Sequence, residues 1–345
     1  MKSFNAPAPD LNGKSILVTG GTGSFGKAFV QTVLQRYKPR KLIIFSRDEL
    51  KQYEMAHEYS QDNYPCLRYF IGDVRDRERL AMAMRDVEYV IHAAALKHVP
   101  IAEYNPFECI QTNVHGAENV VNAALATGVK RVIALSTDKA VSPLNLYGAS
   151  KLAADKIFVA ANNLSGKSST RFAVVRYGNV VGSRGSVITL YERLVREGAD
   201  SLPITDPRMT RFWITLDQGA SFVMSRLDKM VGGEIFVPKI PSMNIMDLAR
   251  AIAPECRTEV VGIRPGEKLH EIMVAEDDAR HTVEQDDCYV IRPPFHEWDS
   301  SAYARQGGGK PCPDGFNYCS DTNTQWLTVE QLRKMAGLTD EAAGG

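Results

Sequence analysis

The feature that most restricts what this chain can become lies near its start. An apolar run, Ser15-Ile16-Leu17-Val18-Thr19, passes directly into Gly20-Gly21-Thr22-Gly23-Ser24-Phe25-Gly26 and then into a helical pattern. Glycines at 20, 23 and 26 permit a tight turn, close approach of backbone to a pyrophosphate, and packing of a helix on a strand, with the phosphate at the helix N-terminus. Such a triplet alone is often only a turn. At the first strand-to-helix junction it reads as a dinucleotide site, with Thr22, Ser24 and Phe25 among the residues at the cofactor.

The alternation continues along the chain. Leu42–Phe45, Leu67–Ile71, Tyr89–His92, Arg131–Leu135 and Phe172–Val175 are apolar almost throughout, as strands covered on both faces are. Helix-length segments such as Gly26 to Tyr37 and Asn113 to Thr127 lie between them. This pattern predicts an α/β fold built on a Rossmann-type, doubly wound parallel sheet. After Gly182 prolines and glycines become frequent and the elements shorten, while Glu234-Ile235-Phe236-Val237 reads as a return to the main sheet. The expected division is a cofactor-binding part over 12–181 plus about 215–240, and a smaller, discontinuous α/β substrate part over about 182–214 plus 241–335. The ligand cleft is expected between the two. Residues 300–320 read as a loop, and the terminal Ala342-Ala343-Gly344-Gly345 as mobile.

Charge and cysteine usage exclude several functions. Over 345 residues, 41 Lys and Arg balance 41 Asp and Glu, so the basic excess usual for nucleic-acid binding is missing. Six cysteines are scattered without a CxxC pair, which is neither a disulfide framework nor a zinc pattern and suits a reducing cytosol. The start, Met1 to Pro7, lacks the apolar core of a signal peptide, and no run approaches the roughly 18–20 apolar residues that span a bilayer. The expectation is a cytoplasmic protein with no nucleic-acid partner, no membrane partner and no metal.

The end of the second strand selects the cofactor. An acidic residue there would bond a ribose 2′-hydroxyl, whereas a basic one accommodates a 2′-phosphate. This chain has Ser46 and Arg47 at that place, with Lys51 one helical turn further on. A solvated helix start capped by Ser46 or Asp48 explains the same residues, but Arg47 can serve both purposes, so NADP is expected. Asp73, after the third strand, is placed either to meet the adenine edge or simply to open a loop. The fifth strand ends in Ser136-Thr137-Asp138-Lys139, and Tyr147 and Lys151 follow four residues apart, on one helix face. An ammonium beside a phenol favours the phenolate, so Lys151 is expected to lower the Tyr147 pKa and make it a base while also reaching the cofactor ribose.

These motifs, with Ile91-His92-Ala93-Ala94-Ala95 and Arg176-Tyr177-Gly178-Asn179-Val180, resemble the extended short-chain dehydrogenases that act on nucleotide sugars. Within that group, Ser46 to Lys51, Ala95-Leu96-Lys97-His98-Val99-Pro100, Met209 to Trp213, Gly266 to Glu271 and Ser320 to Asn323 are similar to the soluble, inverting UDP-N-acetylglucosamine 4,6-dehydratases of pseudaminic acid biosynthesis. The resemblance covers roughly residues 12–335, and the loop around 300–312 is where it does not match.

The resemblance implies that Tyr147 takes the sugar 4-hydroxyl proton, Lys139 removes the C-5 proton if neutral when it acts, Asp138 protonates the leaving 6-hydroxyl, and Thr137 bonds the 4-oxygen. It places Ala93, Ala94 and Ala95 at the cofactor, and Arg211, Arg264 and Glu267 at a UDP site that Lys239 joins. Arg211 and Arg264 lie in apolar or Pro/Gly surroundings, where a buried-facing guanidinium should have an anionic partner, and an ordinary surface ion pair explains each of them as well. Asn179 either donates to the phosphates or holds a strand end, and Lys97 and His98 are either ligand contacts or ordinary loop residues. His92 and His270 carry no ligand geometry. A homo-oligomer is also expected. Two rival readings share the cofactor site. A nucleotide-sugar 4-epimerase has no use for an acid at a leaving 6-hydroxyl, which Asp138 supplies, and a non-catalytic NADP-binding protein need not keep Tyr147 and Lys151.

Overall fold

The computed structural model describes residues 4, 9–166, 169–183, 185–294 and 308–338. The terminal Ala342 to Gly345, and residues 300–307 of the expected loop, lie outside the described residues; the rest of that loop contains two short strands.

The first half alternates as the apolar runs require. Strands β1 (Ser15–Thr19), β2 (Lys41–Ser46), β3 (Leu67–Ile71), β4 (Tyr89–His92), β5 (Arg131–Thr137) and β6 (Arg171–Tyr177) are joined by helices. These include α1 (Ser24–Arg36), α2 (Glu49–Glu58), α3 (Arg77–Ala83), α4 (Val99–Tyr104), α5 (Pro106–Ile110), α6 (Gly116–Thr127) and α7 (Leu146–Leu164). The strands pair in parallel in the order β6-β5-β4-β1-β2-β3. Chain order reverses between β1 and β4, and the crevice beyond the carboxyl ends there is where a ligand binds in such sheets. Asp48 and Asp76 cap α2 and α3 by accepting from the backbone N–H of Lys51 and Arg79. Before α6 the helix widens into one π-helical turn, Gln111–His115. That turn carries Asn113 inward, where its amide exchanges two hydrogen bonds with the backbone of Leu96 and donates to Ser150 Oγ at 2.9 Å.

The second half builds smaller sheets. Beyond β7 (Asn179–Val180) come α8 (Val187–Arg196), β8 (Ser201–Ile204), β9 (Thr210–Ile214), α9 (Leu216–Lys229), β10 (Ile235–Pro238), β11 (Ser242–Asn244), α10 (Ile245–Ile252), β12 (Arg257–Val260) and β13 (Ile272–Val274). The order β11-β9-β7 makes a three-stranded sheet, and β8 pairs with β12. A second apolar cluster, with Tyr191, Trp213, Met243, Leu248 and Leu332, packs among these elements, separate from the cluster around the main sheet. As expected, β10 returns to the main sheet, parallel to β6. The sheet does not stop there, however. Strands β14 (Thr282–Glu284), β15 (Cys288–Ile291) and β16 (Lys310–Pro311) extend it antiparallel past β10, within a stretch that the sequence assigns to the substrate part. The reason is burial: Cys288, Val290 and Ile291 are as enclosed as the β10 residues they pair with. The last strand, β17 (Tyr318–Cys319), pairs with β13.

At the β1–α1 turn, a Cβ on Gly26 would stand 2.5 Å from the Gly21 carbonyl oxygen. In an ordinary helix interior Ala is better than Gly by about 1 kcal/mol. Here Gly26→Ala is expected to lower stability by roughly 1–3 kcal/mol, the range for overpacking. Urea unfolding checks this: the midpoint should fall at constant slope, and a midpoint that holds or rises would show that the turn yields to a methyl group.

Candidate active site

A cleft of about 950 Å³ opens over the carboxyl ends of the parallel strands. Its cofactor side begins at Gly20, held at φ +65° with its N–H donating to the Phe45 carbonyl at 2.8 Å. A Cβ there would come within 2.8 Å of the Ala94 backbone nitrogen, so only glycine fits between β1 and the chain after β4. Gly23, Ser24, Phe25 and Gly26 line the cleft at the start of α1, whose N-cap Gly23 brings no capping side chain. A helix N-terminus approached over bare backbone fits a pyrophosphate. Thr22 donates to Ser46 Oγ at 3.1 Å, tying the turn to the end of β2, and Ala93, Ala94 and Ala95 line the same wall.

The residues at the end of β2 meet the cleft as the sequence anticipates. Asp48, not Ser46, caps α2, and its carboxylate also pairs with Lys51. Arg47 is exposed at the cleft edge, its guanidinium 3.8 Å from Asp73. Asp73 opens the loop after β3 and also lines the cleft. Its carboxylate accepts from the Arg75 backbone and guanidinium. Partial burial would raise its pKa, but the Arg75 hydrogen bonds outweigh that and hold it low.

The opposite wall carries Thr137, Lys139 and Tyr147, residues expected to act on the substrate, while Asp138, expected with them, is fully buried and does not line the cleft. Thr137, last residue of β5, donates to Asp138 Oδ1 at 2.9 Å and accepts from the Lys139 N–H at 3.3 Å. Lys139 Nζ lies 3.0 Å from Asp138 Oδ1, 3.5 Å from Asn179 Oδ1 and 3.3 Å from Glu271 Oε1. Burial would push Lys139 down, but the Asp138 and Glu271 carboxylates outweigh it and hold its pKa above the ordinary lysine value. It is therefore an ammonium in this arrangement. Tyr147, at the start of α7, is pushed up to about 12 by burial, and Lys139 and the Thr137 hydroxyl pull against that. This corrects the expectation for the Tyr147–Lys151 pair. Lys151 Nζ donates to the Leu135 carbonyl at 2.7 Å, burial lowers its own pKa, and the cation acting on the phenol is Lys139.

On the sugar side the expected residues divide. Lys97, Asn179, Arg211, Arg264 and Glu267 all line the cleft. Arg264 is exposed there, and no carboxylate pairs with it among the described residues. Arg211 already has the anionic partner its surroundings demand, Glu271, at 3.8 Å. Its remaining donors reach the carbonyls of Thr210, Lys268 and Leu269, so it fastens β9 to the 268–269 segment. Lys239 is a correction. It pairs with Glu284 at 2.7 Å and sits over the Tyr289 ring, away from this cleft, because β10 carries it toward β14 and β15. Glu271, Lys268 and Tyr177 also line the cleft and were not singled out in the sequence. Glu271 is buried next to the strand Ile272–Val274, and no local feature of the sequence marks it for the cleft. His270 is structural as expected, its Nδ1 2.8 Å from Thr210 Oγ1.

A doubly wound sheet with a glycine turn at α1 and a Tyr-Lys pair on α7 defines a Rossmann-type protein of the extended short-chain dehydrogenase/reductase class. More particularly, the chain belongs to the polysaccharide biosynthesis protein family, whose model matches residues 16–293. It is 58% identical to the UDP-N-acetylglucosamine 4,6-dehydratase (inverting) of Campylobacter jejuni subsp. jejuni serotype O:2, over 96% of this chain and 99% of that one. It is 38% identical to the UDP-glucose 4-epimerase of Rickettsia canadensis, over 93% of this chain and 95% of that one. Among solved structures, Pen from Bacillus thuringiensis superposes with a TM-score of 0.85 at 36% identity, covering 96% of this chain and 100% of that one.

Below the cofactor wall, His92 is buried with Nδ1 2.8 Å from Thr19 Oγ1. Burial, helped by the Lys151 charge, pushes its pKa from 6.5 down to about 3. The unfolded chain therefore takes up a proton below about pH 6.5 that the folded chain refuses, so this contribution is full above that pH and lost as pH falls. By pH 5 the loss should reach about 2 kcal/mol, at 1.36 kcal/mol per pH unit. Denaturation of wild type and His92→Asn at pH 7 and pH 5 checks this, since the variant should lose less stability between the two. Parallel losses would mean that His92 titrates normally in the fold.

Proposed function

We propose that this chain is an NADP-dependent, C-5-inverting UDP-N-acetylglucosamine 4,6-dehydratase, forming UDP-2-acetamido-2,6-dideoxy-L-arabino-hex-4-ulose. The observation that carries the reading is the Asp138–Lys139 pair at the end of β5, in which Lys139 lines the cleft with Tyr147 and Asp138 is fully buried against Lys139. The 58% identity to a protein of that name supports it. The 38% identical 4-epimerase supports the rival, but a 4-epimerase needs no acid for a 6-hydroxyl. The division of labour we propose gives cofactor binding to 12–181 with 215–240 and sugar binding to 182–214 with 241–335, the latter lending β14, β15 and β16 to the main sheet. A cytoplasmic setting is supported by six free cysteines and by the lack, among the described residues, of a helix long and apolar enough to cross a membrane. A homo-oligomer belongs to the same reading, supported by the exposure of the large apolar side chains Tyr104 and Phe107.

When bound, the cofactor supplies a hydride acceptor for carbon 4 and returns the hydride at carbon 6, so no net oxidation occurs. The chain's own part is proton traffic. Tyr147 receives the 4-hydroxyl proton as a phenolate, which Lys139 and Thr137 favour against burial. The 4-ketone then acidifies C-5. Elimination needs Lys139 as a neutral amine and Asp138 as a carboxylic acid. That pair holds the same number of protons as the ion pair seen at 3.0 Å, so moving one proton from nitrogen to oxygen prepares the site. Lys139 takes the C-5 proton, Asp138 gives its proton to the 6-oxygen, water leaves, and the ion pair is restored. Inversion requires the C-5 proton to return on the other face or after a change of ring pucker.

Incubation with UDP-N-acetylglucosamine in D2O, followed by NMR, is the direct test. Deuterium at C-5 in the L-arabino product is expected, without net absorbance at 340 nm. A product keeping the D-xylo arrangement from the first turnover would falsify inversion, and a C-4 epimer would overturn the dehydratase reading. In the same assay Asp138→Asn should bind substrate normally and slow elimination by roughly 10²–10⁴, as loss of a general acid does.

For the cofactor, the support is Arg47 at the cleft edge beside Ser46. Arg47→Ala should weaken NADP binding roughly 10- to 100-fold, the loss of a hydrogen bond to a charged group, and leave NAD binding nearly unchanged. Calorimetric titration with both cofactors decides, and equal losses would remove the basis for NADP.

A further inference from the structure

Glu271 faces Lys139 with Asp138 as the other carboxylate, and nothing above gives it a role in the reaction. Its side chain is 3% exposed, with Oε1 3.3 Å from Lys139 Nζ and 3.8 Å from Arg211 Nε. Oε2 stands 3.9 Å from Lys268 Nζ and has no hydrogen-bond donor among the described residues. Leaving a carboxylate oxygen buried and unsatisfied is costly unless function uses it. The backbone on either side is fixed, since the Glu271 N–H donates to Ser320 Oγ at 2.9 Å and its carbonyl accepts from the Ser320 N–H at 2.8 Å. The side chain is thereby aimed at the cations.

We propose that Glu271 is the positioning residue for C-5 deprotonation, holding the Lys139 amine in place and strengthening it as a base. This rests on the dehydratase reading. The reason is a division of labour between two carboxylates. Asp138 must be protonated to act on the 6-oxygen, and once protonated it no longer stabilises an ammonium beside it. Glu271 gives up no proton in the reaction, so its carboxylate, 3.3 Å from Lys139 Nζ, is the one left to stabilise the ammonium as it forms. In that step the C-5–H bond breaks and an N–H bond forms on Lys139. The electron pair left on C-5 becomes the new double bond and expels the 6-oxygen, which leaves as water with the Asp138 proton. Arg211 and Lys268 oppose the new positive charge, and Tyr147, beside Lys139, and Cys319, beside Lys268, are further titratable groups at the cluster. Both cations also contact Glu271, which offsets them locally.

Two variants separate this role from a structural one. Glu271→Gln keeps the shape and removes the charge, while Glu271→Asp keeps the charge one methylene back. Under single-turnover conditions in D2O, Glu271→Gln should leave the 340 nm transient of 4-oxidation within about 3-fold and slow C-5 deuterium uptake roughly 10- to 100-fold, the lower part of the range for acid–base groups. Glu271→Asp should recover most of the uptake, and it carries the test if the Gln variant does not fold. Equal slowing of both steps, or no slowing of uptake, overturns the proposal. A second readout needs no turnover. After reductive 13C-methylation, with Lys139→Arg identifying the resonance, the Lys139 midpoint should fall by about one pH unit or more in Glu271→Gln. An unmoved midpoint overturns the role of Glu271. A moved midpoint in an enzyme that gives no dehydrated product supports that role and faults the dehydratase reading instead.

Discussion

The cleft depends on the parallel ladder at the centre of the sheet. Register places Thr19 of β1 level with Phe45 of β2 and His92 of β4, and Thr137 of β5 level with Tyr177 of β6. Because β1 to β6 all run the same way, the turn glycines, Asp138 and Lys139 all emerge at one edge. A slip of one residue between β5 and β6 would turn alternate side chains to the opposite face and carry the cleft-lining end of β5 out of place. The core enforces the register, since Val132, Ile133, Ala134 and Val174 are fully or almost fully buried. Packing of ordinary aliphatic residues thus sets the position of the chemistry.

Burial at that edge acts in one direction on each kind of group. It raises the Tyr147 phenol and lowers the Lys151 ammonium and the His92 imidazole, disfavouring charge in every case. Lys139 is the exception, and only because two carboxylates meet it. Charge is thus held at Lys139 by the carboxylates beside it, while burial works against it at Tyr147, Lys151 and His92. Arg176 and Asp155 repeat the device beneath the cleft, a buried pair at 3.3 Å in which Asp155 also accepts from Ser136. That pair braces β5, α7 and β6 without entering the cleft.

Much of this was legible in the sequence. The apolar runs gave β1, β3 and β4 to the residue and β10 within one, because strands covered on both faces leave an unambiguous pattern. Gly20, Arg47 and Asp138 directly follow strands, so finding the strands found them, whereas Tyr147 was found by its spacing from Lys151 on one helix face. What failed depends on contacts distant in sequence. Lys239 sits among residues that look like a ligand site, yet the antiparallel β15 beside β10 puts it next to Glu284. Lys151 stands one turn from Tyr147 as foreseen, but the Leu135 carbonyl takes its ammonium, and Lys139, eight residues before Tyr147, acts on the phenol instead. Glu271 reaches Lys139 across more than a hundred residues of chain, and no local pattern states that meeting.

The π-helical turn at Gln111–His115 has a consequence of its own. Its Asn113 holds the loop after β4 by the main-chain N–H and carbonyl of Leu96, at 2.8 and 2.9 Å, rather than by any side chain of that loop. The grip is blind to the identity of residue 96 and its neighbours. Lys97 and His98, which face the cleft from the same loop, can be exchanged over generations while the loop keeps its place, so long as the amide at 113 survives. An irregularity in one helix thereby frees a ligand-facing surface to drift toward new sugars on an unchanged frame.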